Sequence, residues 1–399
     1  MTNNRTAVVV GAGIGGLCAG LALSRRGWQV TILERAPAFG AVGAGLTLMS
    51  NALAGLDALG VGDQVRAGGQ VEAPGGSRTA DGRWLFRIEA TELTDQLGTE
   101  SLGIHRATLH AILRAALPAG TTLVTGAEVV EVVAGPPAEV SYRHDGTRIT
   151  VGADLVVGAD GIRSTVRARL WPDAPPPVYA GSTTWRGVTD GPWGGELYVA
   201  ISWGPGAEFG MVPLGDGRIY WFGAVNAPAG GRDPDELRAV RDRFGSWHAP
   251  IPDLLAATGA DTVLRNDIYH LGTPLPNYSR GAVALLGDAA HAMTPNLGQG
   301  AAQAIEDAVV LGAAVGDGAG AGAGAGDVTA ALIRYDRQRR PRSQHVARAS
   351  YRIGRFGQQL RNPLAVTLRN ALLRLTPPRT ALRSMARYAD WQPPRPDGV

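Results

Sequence analysis

A chain of 399 residues is long for one hydrophobic core and implies two domains, or one domain carrying a large insertion. Its 45% apolar content is that of a soluble globular protein, and the single cysteine, Cys18, excludes a disulfide framework, a CxxC redox pair and a cysteine-rich metal site, which fits a reducing cytosol. The net charge of +3 hides an asymmetry: from Arg334 onward 15 arginines face three aspartates (+12), the rest sets 23 arginines against 32 acids (−9), and there is no lysine.

The opening MTNNRTAVVVGAGIGG lacks the basic region, apolar run and small-residue cleavage site of a signal peptide. TAVVVGAG reads as a short buried strand, IGGLCAGLALSRRG as the helix after it, and WQVTILER as a second strand, together one βαβ unit. NALAGLDALG and RATLHAILRAAL carry apolar residues at helical spacing. TTLVTGAEVVEVV continues into strands, and DGTRITVGADLVVGADGIRS reads as a hairpin feeding a buried strand that stops at Asp160-Gly161. From about 172 to 275 prolines cluster and runs such as ELYVAISWG and EFGMVPLGDGRIYWFGAV alternate like a sheet, with a hairpin turn at residues 215–217. A second apolar strand, GAVALLGD, ends on Asp288 and is followed by a glycine-rich turn and a helix. GDGAGAGAGAGD, 316–327, reads as a loop. The Arg-rich remainder is helical by pattern, broken at Pro363 and Pro377-Pro378. No stretch of about 18 apolar residues escapes charge or dense glycine, so no spanning helix is expected.

The spacing Gly11-Ala-Gly13-Ile-Gly-Gly16 carries the first chemistry. Gly11 permits a tight turn, Gly13 lets a pyrophosphate approach the backbone, and Gly16 lets helix and strand pack closely. Unpaired N–H groups at the helix start then face the phosphates. Glu34, at the end of the next strand, is placed to accept hydrogen bonds from a ribose. These residues point to a dinucleotide and leave FAD and NAD both open.

Taken together, the N-terminal glycines, GADGIRS and LLGDAAHAMTPNLGQG resemble the single-component FAD-dependent aromatic hydroxylases, the p-hydroxybenzoate hydroxylase-like superfamily. GAGLTLMSNALAGLDALGVGD and GQGAAQAIEDAVVLG are most similar to its salicylate and urate hydroxylase branch. The resemblance implies an α/β fold, a Rossmann-like FAD-binding domain with an inserted antiparallel-sheet substrate domain and a C-terminal helical segment. The expected FAD-binding parts are residues 1–71, 101–171 and 276–345. Substrate-domain strands are expected at 72–100, the substrate domain at 172–275, and the Arg-rich helices at 346–399.

It also implies a division of labour. FAD would be held by Gly11, Gly13, Gly16, Glu34, Arg35, Arg106, Asp160, Asp288, Gly298, Gly300 and Ala301. Asp288 would accept from a ribitol hydroxyl, and the helix from Gly300 would point its positive end at the flavin pyrimidine edge. His291 is expected in a structural hydrogen bond. Pro295 would lie near the flavin, Arg186 and Tyr220 would hold a polar or anionic substrate, and Met211, Phe222 and Asn296 would complete the pocket. Glu208 stands where urate-hydroxylating relatives carry an arginine, and Asn296 where they carry aspartate, so urate itself is not expected. No metal is expected.

The implied reaction is hydroxylation of a small electron-rich aromatic or heteroaromatic compound. NADH or NADPH reduces FAD transiently, and reduced flavin and O2 form a C4a-hydroperoxide that delivers the oxygen. The same chemistry serves alkene epoxidation and dearomatising oxidation. Halogenation is excluded, because the related halogenases rely on a lysine. A reading of another class is a membrane-surface protein that docks through its basic C-terminal helices; against it, the +12 tail can pack on the −9 remainder or draw in the anionic nicotinamide cofactor. No nucleic-acid module is recognised, no stable membrane insertion is expected, and the expected state is a cytoplasmic monomer or homodimer.

Overall fold

The computed structural model describes residues 5–40, 44–71, 75–88, 101–316 and 325–394. The nucleotide-type sheet has six strands, in the order Ser279–Arg280, Val283–Leu285, Leu155–Gly158, Thr6–Val10, Gln29–Glu34, Thr122–Thr125. All neighbours are parallel except the outermost Ser279–Arg280. Its central strands are unbroken apolar runs because both faces are covered, as parallel sheets require. Helices Ile14–Ser24 and Gly300–Gly316 pack closely there: a Cβ at Gly312 would lie 2.8 Å from that of Ala22, so only glycine allows the approach. The hairpin read from DGTRIT is the pairing of Ala138–His144 with Thr147–Ala153.

The second large sheet has seven strands, in the order Leu264–His270, Val178–Val188, Ile219–Asn226, Ala207–Pro213, Val199–Gly204, Gly75–Thr79, Trp84–Ile88. It is not purely antiparallel, as the sequence led us to expect. Val199–Gly204 pairs in parallel with Gly75–Thr79, because that strand arrives from the first half of the chain rather than through a hairpin. Two helices inside 172–275, Glu236–Phe244 and Ile251–Ala256, also depart from the all-sheet reading. The first starts on an Asp235 cap and buries Leu237, Val240 and Phe244 at helical spacing. With Trp185, Phe209, Trp221 and Leu254 they build the core on the sheet's far face.

Helix Ala325–Phe356 runs unbroken through the boundary expected at 345/346, with Pro341 inside it, and starts within the segment read as a loop. Residues 317–324 of that loop, like 72–74 and 89–100 of the expected substrate-domain strands, lie outside the described residues. The helical run is interrupted at Pro363 and at Pro377-Pro378, as expected, and Pro363 and Pro378 each stand at the start of the next helix. They open Pro363–Leu375 and Pro378–Ala389, where a missing N–H costs nothing. Among the described residues no helix is long and apolar enough to cross a membrane.

Candidate active site

The glycine turn is set by close approaches. Gly11 has φ +100°, and a Cβ there would lie 2.5 Å from the Ala159 carbonyl oxygen; a Cβ on Gly16 would overlap the Gly11 carbonyl. Around Gly13 the opposite holds: a Cβ there would have no neighbour within 4 Å. Gly13 is the N-cap of Ile14–Ser24 and offers no side-chain cap, so the helix start faces open space with unpaired N–H groups. Glu34 holds the turn: its two carboxylate oxygens accept from the Ala12 and Ala36 N–H groups, each at 2.8 Å, and keep lone pairs for a ribose. His110 Nε2 meets the Ala12 carbonyl at 2.8 Å, a support the sequence did not reveal. Arg35 is exposed and does not line the cavity.

Beyond this turn opens a cavity of about 1530 Å³ that runs from Gly13 to the seven-stranded sheet. Asp288 and Arg106 both open onto it while protein surrounds them. Burial raises the Asp288 pKa, with His291, Arg106 and Arg167 opposing. Burial lowers that of Arg106, with Asp288 opposing and Arg186 adding. A sharp turn at Gly287, φ +58°, delivers Asp288 there. Pro295–Leu297 follows, then Gly298 at φ +65° and the helix from Gly300; Cβ atoms at Gly298 and Gly300 would have no neighbour within 4 Å. Ala301 lines the same wall. The cavity thus offers unpaired helix N–H groups at two places and a carboxyl between them, which fits a phosphate, a polyhydroxyl tether and an electron-accepting ring in one ligand.

Asp160 does not present its carboxylate to the cavity. It accepts from Ser164 Oγ (2.5 Å) and from the Thr165 and Val166 N–H groups (2.6 and 3.1 Å), capping helix Thr165–Leu170. Its neighbours Ala159 and Gly161 line the cavity instead.

A buried charge network stands behind Asp288. Arg339 pairs with Glu306 and, at 2.6 Å, with Asp307. Asp307 also accepts from the Gly287 N–H (2.8 Å) and meets His291 Nε2 (2.5 Å), so it fixes the turn carrying Asp288. Burial would raise the Asp307 pKa, but His291 and Arg339 outweigh it and bring it to about 2. Arg342, Asn51 and Gln303 also donate to Glu306. The sequence signal for this network was the pair Glu306-Asp307 inside an otherwise apolar helix.

The register of the sheet decides which side chains face the cavity. One cross-strand row reads Arg186, Phe222, Gly210, Ile201. The next holds Val188, Tyr220 and Val212, and another Ala224, Glu208 and Trp203. Met211, expected in the pocket, does border the cavity, but alternation turns its side chain to the far face, where it packs with Phe209 and Trp221 at 2% exposure. Tyr220 is buried, and burial pushes its phenol up to about 12. Asn296, beside Pro295, reaches across to Glu208 at 3.4 Å, and Trp203 Nε1 donates to Glu208 at 3.2 Å.

Burial raises the Glu208 pKa from 4.5 to about 7 against the Trp203 hydrogen bond. Because the folded value lies above the unfolded one, this group does no harm below about pH 4.5 and costs stability as pH rises toward 7, by up to about 3 kcal/mol. Glu208→Gln should therefore gain stability over wild type at about pH 8 but not at about pH 4. Denaturant midpoints at both values test this; a constant difference between the two proteins would show that the carboxyl ionises normally.

A family model described as an FAD binding domain matches residues 4–350. The chain is 41% identical over 377 residues to "Aurachin C monooxygenase/isomerase" of Stigmatella aurantiaca, covering 94% of this chain and 95% of that protein. It is 32% identical to "2-heptyl-3-hydroxy-4(1H)-quinolone synthase" of Pseudomonas aeruginosa, covering 93% and 94%. Among solved structures it resembles Klebsiella pneumoniae HpxO complexed with FAD and uric acid, with a TM-score of 0.87, 27% identity, and coverage of 98% and 97%.

Proposed function

The chain belongs to the FAD-binding-domain family of FAD-dependent aromatic hydroxylases, and from that premise we propose that its substrate is a neutral, bicyclic N–H heteroaromatic of the 4-quinolone type bearing an apolar chain. The protein is an FAD-dependent monooxygenase that uses NAD(P)H and O2 on an electron-rich ring. When bound, FAD supplies electron storage and the activation of O2. Gly11, Gly13, Gly16 and Glu34 would hold its adenosine and pyrophosphate, Asp288 and Arg106 its tether, and the Gly298–Ala301 backbone its ring.

The observation that carries the substrate reading is Glu208. A carboxyl buried in the substrate wall gives a carboxylate ligand no cation to pair with and repels it once ionised, and it suits a ring N–H, which it or Asn296 can accept. Arg186 and Tyr220, on neighbouring rows, suit a ring oxygen on the other side. Similarity to a 4(1H)-quinolone synthase supports this reading. The apolar chain would lie toward Ile353, Phe356 and Leu373, which line the same cavity. The protein's share of the chemistry is to orient the ring, exclude water and keep both reactants dry.

The test is a screen for compounds that accelerate NAD(P)H-dependent flavin bleaching. A neutral 4-quinolone should act and an aromatic carboxylate should not; the reverse ranking contradicts the proposal. With a substrate in hand, Tyr220→Phe and Arg186→Met should raise KM or lower product formed per NAD(P)H consumed, with hydrogen peroxide as by-product and flavin content unchanged. Wild-type coupling and KM in both variants would make these residues structural, and loss of FAD would place them at the cofactor instead.

A further inference from the structure

Helix Pro363–Leu375 carries four of its five leucines on the side opposite to the protein. Leu364, Leu368, Leu372 and Leu375 are 82%, 62%, 50% and 80% exposed. With 3.6 residues per turn they fall within an arc of about 80°. The other face holds the contacts. Arg369 is buried, its guanidinium 5.2 Å from the centre of the Trp203 ring and donating to the Gly357 carbonyl at 2.6 Å. Leu373 and Thr376, also away from the leucine stripe, line the cavity. A solvated helix buries its leucines and exposes its arginine; here the order is inverted.

The charge around this stripe is unspent. In helix Ala325–Phe356, Arg339 and Arg342 are paired with Glu306 and Asp307, so that part of the basic tail does pack on acids of the remainder, and Arg340 pairs with Asp336 of its own helix. Arg355, Arg361, Arg374, Arg383 and Arg387 are exposed, and none makes an ion pair among the described residues. An apolar stripe with the exposed, unpaired Arg374 on the same helix, in a C-terminal region that carries four more exposed arginines without ion pairs, matches the interface of an anionic bilayer, with acyl chains for the leucines and phosphates for the guanidinium groups. We infer that this face docks on an anionic phospholipid membrane, and Leu373 and Thr376 on the helix's inner side put the cavity directly behind the docked face. The protein lies on the bilayer without crossing it. Docking does not depend on the substrate reading above, although an apolar-tailed substrate would reach the cavity from such a surface.

The experiment is flotation of the FAD-loaded full chain with vesicles of phosphatidylcholine alone or mixed with phosphatidylglycerol. Wild type should float with the mixed vesicles, and added salt should weaken this. Leu368→Ser combined with Leu372→Ser should lower partition roughly tenfold or more, and so should Arg374→Ala combined with Arg383→Ala. Neither pair lines the cavity, so flavin content and NAD(P)H oxidation with a water-soluble aromatic should stay at the wild-type level. Wild type that remains at the bottom with every vesicle overturns the inference, as does a leucine variant that floats like wild type. A dimer on size exclusion that the leucine pair dissolves also overturns it, and assigns the face to a second copy. A protein that floats but binds no flavin would defeat the enzymatic reading and leave the docking intact.

Discussion

Replacing Arg339 by methionine is expected to destabilise the protein by about 3–5 kcal/mol, the usual loss when one partner of a buried ion pair is removed. The reason is local. Arg339, Glu306 and Asp307 are almost wholly buried, and one guanidinium serves both carboxylates and, at 2.8 Å, the Gln303 side-chain oxygen. Without it, Asp307 keeps only His291 and the Gly287 N–H, and Glu306 keeps Arg342, Asn51 and Gln303 as its hydrogen-bond donors. In a chain of this size the melting midpoint should fall by roughly 4–6 °C. Arg339→Lys should recover part of the loss, because an ammonium keeps the charge but not the fork that reaches both acids. The pH profile adds a check. The lowered Asp307 pKa contributes stability that is present above about pH 4 and lost as pH falls through about 2. Arg339→Met should shrink that acid limb. Since Asp307 fixes the turn carrying Asp288, flavin affinity should fall as well. Unchanged melting and flavin binding would mean that the network positions nothing.

The second large effect separates two glycines of the same turn. Gly16→Ala places a methyl group against the Gly11 carbonyl, so helix Ile14–Ser24 must shift, and both stability and FAD binding should fall. Gly13→Ala meets no protein atom and has φ −69°, an ordinary backbone angle, so the fold should be nearly unaffected. Its methyl group occupies the space assigned to pyrophosphate, and FAD affinity should fall roughly a hundredfold, about 2.7 kcal/mol. Glu34→Ala should lie between, at roughly ten- to a hundredfold for the loss of charge-assisted hydrogen bonds. Flavin titration beside thermal melting reads all three. If Gly13→Ala binds FAD like wild type, the phosphates are not at this turn.

What could be read from sequence and what could not follows from the range of the forces. The Gly11–Gly16 turn, the helix starting at Gly300 and the strand ahead of Asp288 are legible because glycine geometry and apolar runs act within a few residues. The helix Glu236–Phe244 was legible in principle, since Leu237, Val240 and Phe244 repeat at helical spacing, but the surrounding alternation of strands masked it. Met211 shows the weakness of pocket assignment along a strand, where one position changes the face. Arg339 could not be placed at all from pattern, because its partners Glu306 and Asp307 lie on another helix and only packing brings them together. Glu208 is the opposite case. Its identity was visible in the sequence, but the register that aims it into the cavity, and the burial that raises its pKa, belong to the folded sheet.

The origin of the transferred oxygen atom tests the monooxygenase assignment most directly. The FAD-loaded protein is supplied with NAD(P)H, ¹⁸O2 and the aromatic compound that best accelerates flavin bleaching, and the product is weighed by mass spectrometry. One labelled oxygen is expected in the product, because an FAD monooxygenase takes it from O2. Product carrying oxygen only from water, or NAD(P)H oxidation that yields hydrogen peroxide with every aromatic compound tried, would contradict the assignment.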